Sequence, residues 1–396
     1  MIRTAALLLL VLALPLPAET IPAGEIVDGI AARSDPTQTY AVYLPRRYDP
    51  EKRYPLLAVF DPRSRGAMAA ELFRDAAEAR AWIVISSNDT RSDGPWEPNV
   101  RAVNAIFPDA LARFSVDTRR VYAAGFSGGA ILAWVVGQTS GRLAGIIGVG
   151  GRLPDGLVVR DVRLAHYGAA GNRDFNFAEM KEIEALLDSE GATHRLEIFE
   201  GGHQWLPPAM TAEAIDWLEI VAMRDGLRPV DEALVAAVLE REVAAAKEYE
   251  SAGRRLAAAR RWRVIADSFA GIVDTAAYAQ RAESLFRSRD VQRERREETR
   301  SLAFEERRVR DVQLVLAKFR NPEIAVTPAR LAHELGVASL VRQAKRTDAA
   351  GDAAGRVLAS LHVQLSFYLP RDEGTSEHDA VLYLEVARTI EKLMRE

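Results

Sequence analysis

The chain contains no cysteine among its 396 residues. Disulfide bonds, thiolate zinc sites and cysteine nucleophiles are therefore excluded. A protein without thiols is also insensitive to the redox state of its compartment. Any nucleophilic chemistry must come from another type of side chain.

The chain also lacks a strong excess of charge of either sign. Its formal net charge is -4 and its pI is near 6.0, values that argue against bulk binding to nucleic acid. It is 48% hydrophobic and 27% charged, as expected for a folded globular protein. At typical domain sizes, its length suffices for about two to three domains.

The first 18 residues have the pattern of a secretory signal. Arg3 is followed by an apolar run from Ala5 to Leu14, then by helix-breaking prolines, and Ala18 marks the expected cleavage site. The apolar run is too short to span a membrane comfortably, because a spanning helix needs about 20 apolar residues. We therefore expect an exported protein, periplasmic or secreted, with no integral membrane segment after cleavage.

Strand-like and helix-like segments alternate from about residue 38 to residue 224. Apolar runs predict strands at 37–45, 54–62, 82–88, 120–125, 143–151, 163–171 and 193–201, and helical spacing predicts helices at 67–81, 98–114, 130–138, 177–191 and 209–223. Pro108 is expected to kink or split the second of these helices. Continuous apolar strands that alternate with helices predict a mostly parallel, doubly wound sheet covered on both faces.

Strand signals stop after this region. No glycine or proline lies between Gly271 and Pro322, and charges of both signs alternate, as in VQRERREETR. Such a pattern is typical of solvated helix faces, and the arginines are not interleaved with the aromatic residues of a nucleic-acid groove. We therefore predict a signal peptide at 1–18, an α/β domain at 19–226 and an all-helical domain at 227–396.

One segment of the helical region, 246–271, resembles a helical hairpin of the tetratricopeptide kind. Gly253 and Ala257 would lie where its two helices touch, but no second copy follows at a fixed period. Helical repeats commonly form concave binding surfaces. Both a surface for a protein partner and a lid over a substrate remain open for this domain.

The sequence GFSGG at 125–129 fits the G-x-S-x-G pattern of a nucleophile elbow. In that turn a strand bends sharply into a helix, and the serine between them adopts a strained backbone conformation. The preceding RVYAA and the following AILAWVVGQ supply the strand and the helix. The pattern marks Ser127 as a candidate nucleophile, with a purely structural glycine-rich turn as the alternative.

A serine nucleophile needs a histidine base and a carboxylate that orients it, in the chain order Ser, Asp or Glu, His. His203 lies in the glycine-rich FEGGHQW, just past a predicted strand, whereas the other histidines fall inside or at the wrong end of strands, or in the helical region. Asp174 follows the predicted strand at 163–171, and the alternative role for it is to cap the helix predicted at 177–191. Asp155 and Asp161 are weaker candidates because they precede that strand.

These residues carry a family resemblance. The region from about 38 to 224 resembles the α/β-hydrolase esterases, close to the group of polyhydroxybutyrate depolymerases, feruloyl esterases and dienelactone hydrolases. The resemblance implies a catalytic triad of Ser127, Asp174 and His203. It also implies that no metal or cofactor is needed. It covers about half of the chain and leaves the helical region without a counterpart.

The resemblance further implies an oxyanion hole made of two backbone N–H groups. One belongs to Gly128, and the other comes from the loop after the third strand, which usually opens with His-Gly. Asp61 and Pro62 stand there instead, and proline has no N–H, so the second donor would be Arg63. Asp61 is then expected to face away or to pair with Arg63 or Arg65.

Two tryptophans lie in loops expected to bound the site. Trp96 lies in the long polar loop at 86–100, after the predicted strand at 82–88, and Trp205 follows His203. Loops at the carboxyl ends of strands surround ligands in open α/β sheets. Both are candidates for the substrate pocket, with loop anchoring as the alternative.

The leading hypothesis is an exported serine hydrolase that cleaves small or polymeric carboxylic esters through an acyl-enzyme. A serine peptidase of the prolyl-oligopeptidase type is a second hypothesis, since such enzymes share the G-x-S-x-G-G pattern. A non-catalytic binding protein, with the helical domain recruiting a partner, is a third.

Overall fold

The computed structural model describes residues 21–395, apart from 93–94, 155, 157–158, 160–162, 320–325 and 372–374. The predicted signal peptide, residues 1–18, lies outside the described residues. Within them, no helix combines the length and the apolar character needed to cross a membrane.

An eight-stranded sheet forms the N-terminal half. Its strands are β1 (Ile26–Ala32), β2 (Asp35–Tyr43), β3 (Tyr54–Phe60), β4 (Ile83–Ser87), β5 (Val116–Phe126), β6 (Gly145–Val149), β7 (Ala165–Gly171) and β8 (His194–Phe199). They lie in the order β1-β2-β4-β3-β5-β6-β7-β8. β1 and β2 pair antiparallel, β2 pairs antiparallel with β4, and every other pair is parallel. The predicted mostly parallel sheet is confirmed.

Five helices cover the two faces of the sheet. They are α1 (Gly66–Arg80), α2 (Glu97–Arg113), α3 (Gly128–Ser140), α4 (Phe177–Glu190) and α5 (Pro208–Arg224). All seven residues of β3 are buried, and each face of the sheet packs into its own apolar cluster, as the unbroken apolar strands predict. α2 continues through Pro108 as one helix, so a split there is wrong, and a kink stays a prediction.

The remainder of the described chain is helical, as predicted. Its helices are α6 (Glu232–Ser251), α7 (Arg255–Ser268), α8 (Ala276–Arg287), α9 (Arg289–Phe319), α10 (Pro328–Glu334), α11 (Val337–Ala344), α12 (Ala349–Val363) and α13 (Glu377–Arg395), with a π-helical turn at Gln364–Tyr368. α6 begins where the carboxylate of Asp231 accepts the Leu234 N–H at 3.0 Å, an N-cap bond. The position of a domain boundary at 226/227 stays a prediction.

α6 and α7 form the helical hairpin that the sequence predicts, but Gly253 does not lie between the helices. It is exposed in the turn that joins them and has a φ of +74°. Only glycine adopts that conformation without strain. The small residue therefore serves the turn and not the helix contact.

The helices join the sheet half through both apolar and ionic contacts. Ile220 and Met223 of α5 share an apolar cluster with residues of α6 to α9. Beside it, two buried guanidinium groups bind three carboxylates, and these five residues are Arg195, Glu197, Glu213, Glu242 and Arg261. Burial raises the pKa of Glu197, against the opposing effect of Arg195. A cleft of about 1510 Å³ lies between β8 and α4 on one side and α7, α9 and α12 on the other.

His166 is an isolated polar group in the core of the sheet half. Its side chain stacks on Trp134 with ring centroids 4.5 Å apart, and neither ring nitrogen has a hydrogen-bond partner among the described residues. Burial lowers the pKa of His166 to about 3. The folded protein therefore holds this imidazole neutral at pH values where the unfolded chain protonates it.

Replacement of His166 by phenylalanine should reduce the loss of stability in acid. The unfolded chain binds a proton below the ordinary pKa of 6.5 that the folded chain refuses until about 3. This one group therefore lowers the free energy of unfolding as the pH falls from 6.5, by about 2 kcal/mol at pH 5. Urea unfolding of wild type and His166→Phe at pH 7.5 and pH 5 measures the difference, and parallel pH dependences in the two proteins would contradict it.

Candidate active site

Ser127 lies in a strained turn between β5 and α3. Its φ of +54° and ψ of −121° are rare for a residue with a side chain. The turn is fixed by hydrogen bonds on both sides, because the Ser127 N–H donates to the Val149 carbonyl at 2.8 Å and the Ala130 N–H donates to the Ser127 carbonyl at 2.9 Å. This is the geometry of a nucleophile elbow, which lifts a serine hydroxyl above the carboxyl edge of the sheet.

Two glycines make room for this turn. A Cβ on Gly125 would lie 2.0 Å from the Gly129 carbonyl oxygen, and a Cβ on Gly129 would lie 1.9 Å from the Phe60 carbonyl oxygen at the end of β3. A side chain at residue 125 would push away the backbone at Gly129, and a side chain at residue 129 would push away the backbone at Phe60. The GFSGG sequence is therefore a packing requirement for the position of Ser127.

The structure brings Ser127, His203 and Asp174 together in one hydrogen-bonded line. His203 Nε2 lies 2.9 Å from Ser127 Oγ, and His203 Nδ1 lies 2.8 Å from Asp174 Oδ1. A buried carboxylate accepts hydrogen bonds, so Nδ1 carries the proton and Nε2 is left to accept from the serine hydroxyl. Asp155 and Asp161, the weaker candidates for the acid, lie outside the described residues.

Asp174 is held by its own loop. Its Oδ1 also accepts the Asn176 N–H at 2.8 Å, and the Asn176 side chain donates to the Gly150 carbonyl at 2.7 Å. The carboxylate is fully buried, whereas 18% of the His203 side chain is exposed. A buried acid beside a partly exposed imidazole can orient the imidazole and stabilise its protonated form.

Two aromatic rings flank His203, and the sequence analysis missed both. Phe126 precedes the serine and Phe175 follows the aspartate, with ring centroids 4.5 Å and 4.1 Å from that of the imidazole. The rings limit the orientations open to His203. Their proximity in sequence to Ser127 and Asp174 was the one available signal.

The loops that carry Asp174 and His203 are tied to each other. The Asn172 N–H donates to the Phe199 carbonyl at 2.8 Å, and the Gly201 N–H donates to the Asn172 side-chain oxygen at 2.9 Å. The Arg173 N–H donates to the Gly201 carbonyl at 2.9 Å. These bonds connect the two loops next to the 2.8 Å contact between His203 and Asp174.

Asp61 pairs with Arg65, one of the two arginines expected from the sequence. The carboxylate is completely buried and accepts two hydrogen bonds from this guanidinium, at 2.9 and 2.8 Å. It also accepts the indole N–H of Trp205 at 2.9 Å. Burial alone would raise the pKa of Asp61, but these bonds and that of the Arg63 N–H outweigh it and lower the pKa.

The residues predicted for the oxyanion hole have separate environments. Gly128 is the first residue of α3, so its N–H lies in the first helical turn, where helix N–H groups lack intrahelical partners. The Arg63 N–H, in contrast, donates to Asp61 Oδ1 at 2.9 Å. Its use as a donor stays a prediction and requires an exchange of Asp61 for substrate. Ser92, which the sequence analysis missed, lies against Gly128, since a Cβ there would come 2.2 Å from its hydroxyl oxygen.

The two tryptophans predicted for the pocket differ in position. Trp205 is 9% exposed and packs on Phe73 and Phe126 while it binds Asp61. This is the loop-anchoring alternative, in which Trp205 fixes the loop of His203 to the loop after β3. Trp96 is 40% exposed and precedes α2, and its role in a pocket stays a prediction.

The likeness of this chain to solved structures is one of fold. A ferulic acid esterase is 17% identical, with 49% of this chain and 97% of that chain covered and a TM-score of 0.41. An S-formylglutathione hydrolase of Staphylococcus aureus is 15% identical, with 51% and 99% covered and a TM-score of 0.41. A hyperthermophilic esterase of Pyrobaculum calidifontis is 14% identical, with 51% and 87% covered and a TM-score of 0.42. No protein-family model and no curated protein matches the sequence.

The expectation that no metal or cofactor is needed stays a prediction. Among the described residues, no group of three or more histidine, aspartate or glutamate side chains is placed to hold a metal ion. The groups that the structure brings together at Ser127 are a hydroxyl, an imidazole and a carboxylate.

Replacement of Gly129 by alanine should damage the site through contact alone. The added methyl group would meet the Phe60 carbonyl at 1.9 Å, so the turn must move away from β3. We expect the turnover of a substrate that Ser127 attacks to fall by about 10²-fold, since small displacements of reacting groups have effects of that size. Gly141→Ala is the matched control at the other end of α3, where φ is +60° but no atom lies within 4 Å. It should lose about 1 kcal/mol of stability and keep full turnover, and equal turnover in both variants would contradict the explanation.

Replacement of Trp205 by phenylalanine should keep the aromatic packing and remove one donor to Asp61. Bonds to charged groups contribute about 2 kcal/mol, so urea unfolding should show a loss of that size. The loss should shrink when Asp61 is asparagine, because the two residues interact directly. Equal losses in both backgrounds would show that the bond contributes nothing.

Proposed function

We propose that this chain is an exported serine hydrolase that cleaves carboxylic esters through an acyl-enzyme. The observation that carries the proposal is the hydrogen-bonded line from Ser127 through His203 to Asp174, with Ser127 in a strained turn. Serine hydroxyls are weak nucleophiles and react when an oriented histidine takes their proton. All three groups lie at the distances which that transfer requires.

The reaction follows from the protonation states of the site. His203 Nε2 takes the proton of Ser127 as the serine oxygen attacks the ester carbonyl, and Asp174 stabilises the imidazolium that forms. The Gly128 N–H, at the start of a helix, binds the negative oxygen. The imidazolium then gives its proton to the departing alcohol. Water attacks the acyl-serine with His203 again as base, and the acid is released.

The pairing of buried Asp61 with the more exposed Arg65 supports the proposal in a different way. A free carboxylate beside the developing oxyanion would oppose catalysis, but Asp61 is neutralised by a bidentate guanidinium. Together with Trp205 it fixes the loop that carries His203. The departure from the His-Gly pattern therefore contributes to the framework of the site.

Export is part of the proposal and rests on the sequence of residues 1–18 alone. Cleavage after Ala18 in an exporting host would give a mature N-terminus at Glu19. Intact mass of the protein recovered from the periplasm or medium tests this. Retention of the full mass in the cytoplasm would contradict it.

Hydrolysis of p-nitrophenyl acetate and butyrate tests the reaction class. The wild type should release p-nitrophenol, with a burst when deacylation is slow, and Ser127→Ala should lose on the order of 10⁴ to 10⁶ of the turnover. Ser140→Ala, at the exposed end of the same helix, is the control and should retain full activity.

The outcome also separates the alternatives. Turnover of a proline p-nitroanilide without turnover of the esters would place the protein among serine peptidases. Folded wild type that turns over neither substrate, at the same background as Ser127→Ala, would contradict a hydrolase and favour a binding protein.

A further inference from the structure

The helical half of the chain reaches the loop that carries Asp174. Arg356 of α12 donates from Nη1 to the Asn172 carbonyl at 2.8 Å. Arg173 donates from its side chain to Asp352 of α12 at 3.1 Å. The helical half therefore touches the loop at Asn172 and Arg173, the two residues immediately before Asp174.

Arg356 is buried and every part of its guanidinium is engaged. It is 3% exposed, its Nε donates to Glu305 at 2.7 Å, and its Nη2 donates to Ser301 at 3.2 Å. Its guanidinium also lies 4.3 Å from the ring centroid of Phe177, the first residue of α4. A guanidinium with fixed partners on α9 presents a fixed donor to Asn172, because its planar fork is rigid.

Asn172 connects the fixed side chain of Arg356 to the loop of the proposed base, His203. Its side-chain oxygen accepts the Gly201 N–H at 2.9 Å, two residues before His203, and its carbonyl is the group that Arg356 binds. Contacts at Asn172 thus reach both loops of the proposed triad. The chain of contacts runs from α9 through Arg356 and Asn172 to the loops of Asp174 and His203.

The contact between Arg356 and Asn172 is separate from the ionic cluster, where the helical half also meets the sheet half. The cleft of about 1510 Å³ is lined by Arg356, Asn172 and Asp352 and also by Arg195 and Arg261 of the ionic cluster. The two junctions therefore lie along one open cleft and not within one continuous packed interface. A change at Arg356 should act on the acid loop without loosening the whole junction.

We propose that Arg356 is a positioning residue for the triad. Through it, the helical half fixes the position of the loop of Asp174 relative to the loop of His203. The inference rests on the proposed function of Ser127, His203 and Asp174. Arg356 touches no reacting atom, and its effect is transmitted through Asn172. The helical half then contributes to catalysis by positioning the triad, which is a different role from a lid over the substrate or a surface for a protein partner.

A purely structural alternative exists, because Arg356 also neutralises buried Glu305. Burial raises the pKa of Glu305 despite the opposing effect of Arg356. Removal of the arginine alone would leave an unpaired buried carboxyl and could destabilise the fold for that reason. The double variant Arg356→Met with Glu305→Gln removes the charge pair together. It leaves the Asn172 carbonyl without this donor, and the Ser301 hydroxyl, which also loses it, keeps its own bond to the Ala349 carbonyl.

The test measures p-nitrophenyl butyrate turnover, its pH profile and urea unfolding for Arg356→Met and for the double variant. Arg260→Met is the control, since Arg260 also pairs with a glutamate of α9, Glu298, but makes no bond to the loop of Asp174. We expect the double variant to recover most of the stability lost in the single variant. Its kcat should stay about tenfold to a hundredfold below wild type, with little change in KM, as for a displaced catalytic group.

The acidic limb of the kcat/KM profile should also move to lower pH in the double variant. A loosened Asp174 stabilises the imidazolium of His203 less, so the base stays unprotonated to lower pH. The control should keep the wild-type profile. Full recovery of kcat and of the pH profile in the double variant would overturn the inference and leave Arg356 as a partner of Glu305 only.

A second readout separates this inference from the proposed function. A proton shared between His203 Nδ1 and Asp174 gives a far-downfield imidazole signal in the proton NMR spectrum. We expect the double variant to shift or lose that signal while the control keeps it. If wild type proved inactive on esters, the proposed function would fail. The positioning role would then be tested by the NMR signal alone, and an unchanged signal in the double variant would overturn it.

Discussion

The site depends on the contact between two backbones where β3 and β5 end side by side. The Phe60 carbonyl occupies the space of a side chain at residue 129, and the Gly129 carbonyl occupies that of a side chain at residue 125. This approach forces the chain to reverse within one residue, and Ser127 takes the strained conformation that results. Strain of this kind persists only where the surrounding structure holds it. Here it is held by hydrogen bonds to the next strand and to the first turn of α3.

The order of the strands places the other two groups beside the serine. β5, β6, β7 and β8 are consecutive neighbours in the sheet and parallel, so their carboxyl ends open on one edge. The turn after β5 carries Ser127, the loop after β7 carries Asp174 and the loop after β8 carries His203. Each loop is fixed from a different side. The bond between Trp205 and Asp61 ties the loop of His203 to the loop after β3, and Arg356 ties the loop of Asp174 to the helical half.

Local sequence signals were sufficient for the fold and for the identity of the candidate triad. Apolar runs marked the parallel strands, and GFSGG marked the turn, because both express local packing rules. β1 was missed since the exposed Asp28 and Gly29 interrupt its apolar residues and a bulge interrupts its pairing. The contact from Arg356 to Asn172 spans 184 positions. No local pattern distinguishes that arginine from the many others in the helical region. The bond from Trp205 to Asp61 was hidden in the same way, as each residue alone fitted two roles.

The most direct measurement is trapping of the nucleophile with a fluorophosphonate, followed by peptide mapping of the adduct. The account predicts one phosphonyl group per chain, attached to Ser127, with labelling strongly slowed in His203→Ala because the base that activates the serine is gone. Labelling that maps to another residue, or a folded wild type that is not labelled at all, would contradict the central claim that the strained turn presents an activated serine.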